Sequence, residues 1–380
     1  MARRAVRHIL FLQVTDPANY PPLLNAAKLF AEAGWKVTFL SLPIKGSSLI
    51  VAAHPQIEVL SMPARSTHVV SIINYLRYCA RAAIVGLCRR PDVIYASDPL
   101  GAAPGLLAST IAFSSLVYHE HDSPNTGSMR FPFARLRVAA ARKARLVIFP
   151  NRSRAVVAQG EIGFGNTQLR IVWNLPCRAE LPTLDKLPDS PLIVYFHGSI
   201  GPDRLPKSVV EAVSQFRGRV RLRVAGYESP GARGYLAKIL ELGSTGCDHS
   251  LVEYLGEIPR EMLLKVAARA HVGLAFMPRK TNDINMQYMV GASNKPFDYM
   301  AAGQALLVSD LSDWRDMFVS AGYARACDPA DTHSVAAALK WFLEHTEERR
   351  DMAALGRAKI AADWNYETAF ATVIAELANG

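Results

Sequence analysis

Short apolar runs of strand length alternate with helix-length segments along almost the whole of this sequence. In the first half "HILFLQV", "WKVTFLSL", "IEVLSM", "DVIYASD", "SLVYHEHD" and "RLVIFPN" read as strands. Between them lie "PPLLNAAKLFAEAG", a proline-led segment ending at Gly34, then the long "STHVVSIINYLRYCARAAIVGLCRR", "GAAPGLLASTIAF" and the basic "RFPFARLRVAAARKA". Strands that alternate with helices predict strand–helix–strand units and a parallel sheet.

The pattern is interrupted once. Residues 179–191, "AELPTLDKLPDSP", hold three prolines and no long apolar run, as an interdomain linker does. A second alternating series follows, through "LIVYFHGSI", "VRLRVAG", "LVEYLGEI", "VGLAFM" and "ALLVSD", and residues 346–377 read as helical throughout. A chain of 380 residues is long for one core and suits two. The expected layout is α/β, with two doubly wound domains over residues 1–183 and 190–360 and a terminal helix over 361–380. In such sheets ligands bind beyond the carboxyl ends of the strands.

Charge is unevenly placed. The net charge is +10, and residues 1–185 hold 21 Lys and Arg against 10 Asp and Glu, an excess of +11. The remaining 22 basic and 23 acidic residues nearly cancel. Nucleic acid, an anionic membrane or an acidic substrate would each account for a basic first half. No nucleic-acid-binding motif accompanies the charge, so nucleic acid is not an expected partner. The five cysteines are scattered without CxxC or Cys/His ligand spacing, which predicts reduced thiols and a reducing compartment. The basic start "MARRAVRHILFLQV" has too short an apolar run for a signal-peptide core, and no apolar run reaches the roughly 18 residues that span a bilayer.

Residues 293–303, "SNKPFDYMAAG", read as a capped helix. Ser293 or Asn294 can cap it, Pro296 suits the first helical position, and Gly303 can take the left-handed conformation that ends it. A helix N-terminus with Lys295 attracts phosphate, whereas Asp298 would repel it unless it contacts something beyond, such as a ribose. Upstream, "YFHGSIGPDRLPKSVVEA" ends a strand at Gly198 and places Arg204 six residues on, able to grip phosphate with two parallel hydrogen bonds. Neither GxxxxGK[ST] nor GxGxxG is present.

Gly198 and Arg204, then "VAG", "VEYLGEIPREMLLKVAARAHVGLAFM" and "SNKPFDYMAAGQALLVSD", stand in an order and spacing that resemble the family-4 retaining glycosyltransferases of the GT-B fold. In the first half "RPDVIYASDPLGAAPGLLA", "LVYHEHD" and "RIVWNLP" are similar to segments of the same family. The resemblance implies two Rossmann-like domains facing across a cleft, with the terminal helix packing back on the first. It implies transfer of a sugar from a nucleotide diphosphate to an acceptor hydroxyl, without a metal or other cofactor. Gly198, Ser199, Arg204, Ser293, Asn294, Lys295 and Pro296 would then hold the donor diphosphate, with Asp298 on the ribose. The sequence departs from the family pattern twice. Val290 stands where the first of a pair of glutamates is usual, and Ser199 where a basic residue often follows the loop glycine. These two departures favour a non-catalytic binding subunit as one alternative, and a nucleotide-sugar epimerase is the other.

The resemblance assigns His121 to the reacting centre, where an imidazole at a strand end orients or bonds the donor sugar. His119 and His121 would share a face of an extended strand and are also the candidates for a metal pair, with Glu120 and Asp122 beside them. No Asp-x-Asp occurs. Asp16, Asn19 and Tyr20 occupy the place of the family's glycine-rich loop and, with Asp122, are candidates for the acceptor. Base and sugar selectivity would lie around Gly226, Tyr227 and residues 254–258. Basic residues cluster over 77–90 and 130–145, and in the second segment they interleave with Phe131, Phe133, Leu136 and Val138, as in helices that lie in a membrane interface, so an anionic membrane surface is a candidate partner of both segments. The implied setting is the cytoplasm, on the inner face of the plasma membrane, with a carbohydrate or lipid-linked acceptor in surface polysaccharide or glycolipid assembly.

Overall fold

The computed structural model describes residues 6–15, 17, 20–43, 54–63, 70–229, 231–244 and 250–379. Asp16 and Asn19 lie outside the described residues. The chain forms two compact units, the first from Met1–Asn174, Asp283–Ala292 and Tyr366–Gly380, the second from Leu175–Asn282 and Ser293–Asn365.

The first unit is built on β1 (His8–Gln13), β2 (Lys36–Ser41), β3 (Ile57–Ser61), β4 (Val93–Ser97), β5 (Ser115–His119), β6 (Leu146–Phe149) and β7 (Leu169–Ile171). They pair in the order β3-β2-β1-β4-β5-β6-β7, parallel throughout. β1 and β4 are buried at every position because helices cover both faces, and this is why their sequences are apolar runs rather than alternations. Phe11 at the centre of β1 meets the rings of Phe30, Phe39 and Tyr95. Burying one such ring contributes about 1.5–3 kcal/mol. The helix Pro21–Glu32 starts on proline, whose missing N–H would have no intrahelical partner there, and turns Leu23, Ala26, Ala27 and Phe30 inward.

The second unit repeats the scheme with β8 (Leu192–Ile200), β9 (Val220–Glu228), β10 (Val252–Tyr254), β11 (Val272–Ala275), β12 (Ala305–Ser309) and β13 (Ala324–Cys327). Their order is β10-β9-β8-β11-β12-β13, again parallel. In both sheets the chain builds outward on one side of the first strand, then crosses to its other side. The reversal falls between β1 and β4 in one unit and between β8 and β11 in the other. At such a switch point the flanking connections diverge and leave a crevice beyond the carboxyl ends of the strands.

Three boundaries differ from the sequence reading. Residues 346–377 are helical in two pieces, Thr346–Ala362 and Tyr366–Ala378, so the terminal helix expected over 361–380 starts at Tyr366. The second belongs to the first unit, where Phe370 packs edge-on against Phe30 and Arg7 Nη1 donates to the Leu377 carbonyl at 2.6 Å. The passage from the first unit to the second falls between Asn174 and Leu175, before the proline-rich stretch. Finally, Asp283–Ala292, inside the second alternating series, belongs to the first unit.

Candidate functional site

The helix Asn294–Ala301 stands at the switch point of the second unit. Ser293 occupies the cap position with extended backbone, but its hydroxyl makes no capping bond. Pro296 is the third helical residue rather than the first. The third position also lacks an intrahelical acceptor for its N–H, so proline removes no helical hydrogen bond there. Gly303, at φ +73°, closes the helix as expected.

β8 delivers Gly198 to the same place. Gly198 has φ +106° and its neighbour on β9, Gly226, has φ +127°. A Cβ on Gly226 would lie 2.0 Å from the Gly198 carbonyl oxygen, and one on Gly198 would lie 3.2 Å from Lys295 Cε and Nζ. Two glycines are therefore what lets the strand ends close up under the lysine. Lys295 Nζ is 5.6 Å from the centre of the Phe196 ring. Burial, then the nearby charge of Arg204, pulls the Lys295 ammonium down to about 7. Arg204 follows the Gly201 turn and lays Nη1 2.6 Å from the Met277 sulfur. Gly198, Arg204, Asn294 and Lys295 are thus brought together, as the sequence predicts. Ser199 instead pairs with the Ser229 hydroxyl at 2.7 Å.

Asp298 departs from the expectation of a ribose ligand. It is 1% exposed, and Arg260 binds both its oxygens, Nη1 to Oδ2 at 2.7 Å and Nη2 to Oδ1 at 2.9 Å. His197 Nε2 lies 3.4 Å from Oδ2, and Arg260 Nε also donates to Glu180 at 2.6 Å. Burial pushes the Asp298 carboxyl up, but Arg260 and His197 outweigh it and hold it below the ordinary carboxylate range. His197 is held neutral, because its burial outweighs the neighbouring acid. Arg260, Glu180 and His197 carry no motif signal. The one usable signal is that His197 directly precedes Gly198.

At the switch point of the first unit, β4 ends in Ser97, with Asp98 opening the helix Asp98–Ala112, β5 ends in His119, and β1 in Gln13. Asp98 takes the left-handed backbone region at φ +62°. Its Oδ1 accepts the backbone N–H of His121 at 2.8 Å and of Asp122 at 3.2 Å. Burial, reinforced by Asp122, raises the Asp98 carboxyl to about 8. The rings of His119 and His121 lie 3.8 Å apart, and His119 Nδ1 is 2.5 Å from the Tyr95 hydroxyl. Two buried imidazoles in contact cannot both carry charge. Burial lowers both, His121 to about 3, so both are neutral at physiological pH. Both ring nitrogens of His121 are buried without a hydrogen-bond partner among the described residues. Tyr20 stands with its ring 6.0 Å from that of His121. Among the described residues no three His, Cys, Asp or Glu side chains gather as a metal site.

Arg154, which sequence reasoning missed, is 1% exposed and holds three backbone carbonyls. Nη1 donates to His121 at 2.7 Å, Nη2 to Asn285 at 2.8 Å and Nε to Tyr288 at 2.9 Å. Asn151 Nδ2 adds bonds to the carbonyls of Tyr288 and Val290, and Asn174 to that of Ala292. These bonds tie Asp283–Ala292 to the first unit and fix the loop that bears His121. The chain then passes directly from Ala292 to Ser293, the cap of the lysine-bearing helix.

Residues 204–375 match the family model described as glycosyl transferase-like. No protein of curated function matches the sequence. Among solved structures, Alr3699/HepE of Anabaena in complex with UDP and glucose superposes with a TM-score of 0.73 at 17% identity, over 98% of this chain and 100% of that one. Sucrose-phosphate synthase of Thermosynechococcus elongatus gives 0.72 at 14%, over 98% of each chain. A glycosyltransferase of Rickettsia africae gives 0.74 at 10%, over 99% and 100%. The chain has the GT-B fold.

The Arg260–Asp298 pair generates a direct test. Arg260→Met leaves a buried carboxylate unpaired and should cost about 3–5 kcal/mol in chemical denaturation. The double variant Arg260→Met/Asp298→Asn should lose less than the single one. Because the folded pKa of Asp298 is depressed, its contribution is present above the ordinary carboxylate range and is lost as pH falls through the folded value. A single variant as stable as the wild type would remove the pair from this account.

Proposed function

We propose that this chain is a retaining glycosyltransferase that moves a sugar from a nucleotide-diphosphate donor to an acceptor hydroxyl. The observation that carries the reading is the cationic cradle at the second switch point, where Lys295, Arg204 and the free N–H groups at the start of Asn294–Ala301 converge beside Gly198. Such a cradle suits a diphosphate, and its charges stabilise the negative charge that builds on the diphosphate as the sugar leaves. This is the role a metal plays in other sites, and the reading requires none. Asp298 acts from behind as the anchor of the helix. The glycosyl transferase-like match over residues 204–375 supports the reading, as does the presence of UDP and glucose in the HepE structure.

His121 is assigned to the sugar. A neutral imidazole with both nitrogens unpartnered among the described residues can accept a hydrogen bond at one nitrogen and donate at the other. The acceptor hydroxyl attacks on the face from which the diphosphate departs, and a phosphate oxygen takes its proton. The acceptor is a carbohydrate or a lipid-linked one, in surface polysaccharide or glycolipid assembly, with the protein peripheral on the inner face of the membrane.

Two measurements test the reading. In titration calorimetry with UDP, GDP and ADP, one diphosphate should bind, and its affinity should weaken as pH rises through about 7 and Lys295 loses its proton. Lys295→Met should reduce affinity on the order of tenfold and flatten that pH dependence. A wild-type affinity without pH dependence, unchanged in the variant, contradicts the cradle. In a donor-hydrolysis assay without acceptor, the wild type should release nucleotide diphosphate slowly and keep its rate in the presence of a chelator. His121→Ala should lower turnover roughly 10²-fold with donor affinity retained. A new sugar epimer would identify an epimerase instead, and binding without turnover an inactive subunit.

A further inference from the structure

The helix Ile72–Arg89 is apolar on two sides. Tyr75, Tyr78, Ala82 and Val85 are buried in the core of the first unit. On the opposite side Ile72, Ile73, Leu76, Ile84 and Leu87 are each 51–60% exposed. At about 100° per residue these five and Ala80 fill one continuous arc of roughly 120°, with Arg77 and Arg81 along its border. The inner face is explained by the fold, whereas the outer one has no partner among the described residues. Helices that are apolar all round are normally covered by something.

The neighbouring helices extend the pattern. Ile72–Arg89 packs along Asp98–Ala112, which in turn packs along Phe133–Lys143. Leu100 and Leu107 of the middle helix are exposed, Phe113 at its end is 97% exposed, and Phe131 lies under the Arg135 guanidinium at 4.6 Å. Neither outer helix contains an Asp or Glu, and Asp98 of the middle one is bonded to the backbone at residues 121 and 122. Exposed cations are Arg77, Arg81 and Arg90 at the first helix and Arg130, Arg135, Arg142, Lys143 and Arg145 over residues 130–145. Of the basic set over 130–145, Arg137 is withdrawn from the surface and the others stay exposed. Arg137 is buried against Glu120 and Glu161, Arg142 donates to the Ile162 carbonyl, and Lys143 to Thr110.

We infer that the outer face of Ile72–Arg89 docks on an anionic lipid bilayer. Ile72, Ile73, Leu76, Ile84 and Leu87 enter the boundary between headgroups and acyl chains, and Arg77, Arg81 and Arg90 meet the lipid phosphates. The charge selects this occupant. A second copy of the chain would bring arginines against arginines with no acid on the helix to meet them, whereas an anionic leaflet complements both the apolar stripe and its border. Among the described residues no helix is long and apolar enough to cross a membrane, so the helix lies on the bilayer rather than through it. That the acceptor is membrane-borne rests on the transferase reading, but the docking itself does not.

The test is co-sedimentation with phosphatidylcholine vesicles with and without phosphatidylglycerol, at low and high salt, using the full chain without donor. Wild type should bind the phosphatidylglycerol vesicles far more strongly, and high salt should weaken that binding. Arg77→Ser/Arg81→Ser should lose roughly fivefold in partition per arginine, at low salt only. Ile73→Ser/Leu76→Ser/Ile84→Ser should lose binding at both salts. All these side chains are exposed, so thermal unfolding and nucleotide affinity should match wild type and show that the variants fold. Equal binding to neutral and anionic vesicles overturns the proposal. So does a dimer in sedimentation velocity that the triple apolar variant dissociates. Lost vesicle binding with nucleotide binding intact refutes the docking alone, and the reverse refutes the donor site alone.

Discussion

The bidentate contact between Arg260 and Asp298 holds the second unit's site in place. A carboxylate in the first turns of a helix whose N-terminus is meant for phosphate would be self-defeating if it faced the ligand. Buried and neutralised by Arg260, it becomes an anchor that fixes the helix to the start of the helix Arg260–Ala267, with His197 of β8 beside it. The charge left at the exposed end of the helix is then that of Lys295 and Arg204. Burial makes that ammonium readily deprotonated. An anion that arrives restores the proton, so the cradle is poised for the ligand rather than already satisfied.

The first unit solves a related problem with backbone groups. Asp98 and Arg154 grip the main chain around His121 from two sides, the one through its N–H and the other through its carbonyl. The imidazole is thereby fixed while its own nitrogens stay unpaired among the described residues. An orphaned buried polar group costs about 1–3 kcal/mol, and such a cost is commonly met where a ligand supplies the missing partner. Arg154 also bonds the carbonyls of Asn285 and Tyr288, so one buried guanidinium holds both the loop that bears His121 and the segment Asp283–Ala292.

The sequence made the architecture legible because strands buried on both faces must be apolar runs, and such runs alternating with helices leave few topologies. Gly303 and the convergence of Gly198, Arg204 and Lys295 were legible for the same local reasons of backbone conformation and charge. Pairings between distant positions were not. Arg260 lies 38 positions from Asp298, and nothing in its surroundings distinguishes it from a solvated helix arginine. The same blindness made Arg137 look like surface charge when it is locked to Glu120. It also hid the place of Asp283–Ala292, which side-chain bonds to carbonyls from Asn151, Arg154 and Asn174 tie to the first unit. Amphipathicity has a similar limit, since a helix apolar on both sides gives a weak periodic signal. The exposed stripe of Ile72–Arg89 was therefore visible only once the buried side had been identified.

The central claim is that an anionic diphosphate is held at the second switch point, between the end of β8 and the start of Asn294–Ala301. Hydrogen–deuterium exchange with and without a nucleoside diphosphate measures this at the amides concerned. Slowed exchange confined to residues 198–204 and 293–298 is the result this account predicts. Unchanged exchange in those two stretches, at concentrations where calorimetry shows the nucleotide bound, would contradict it.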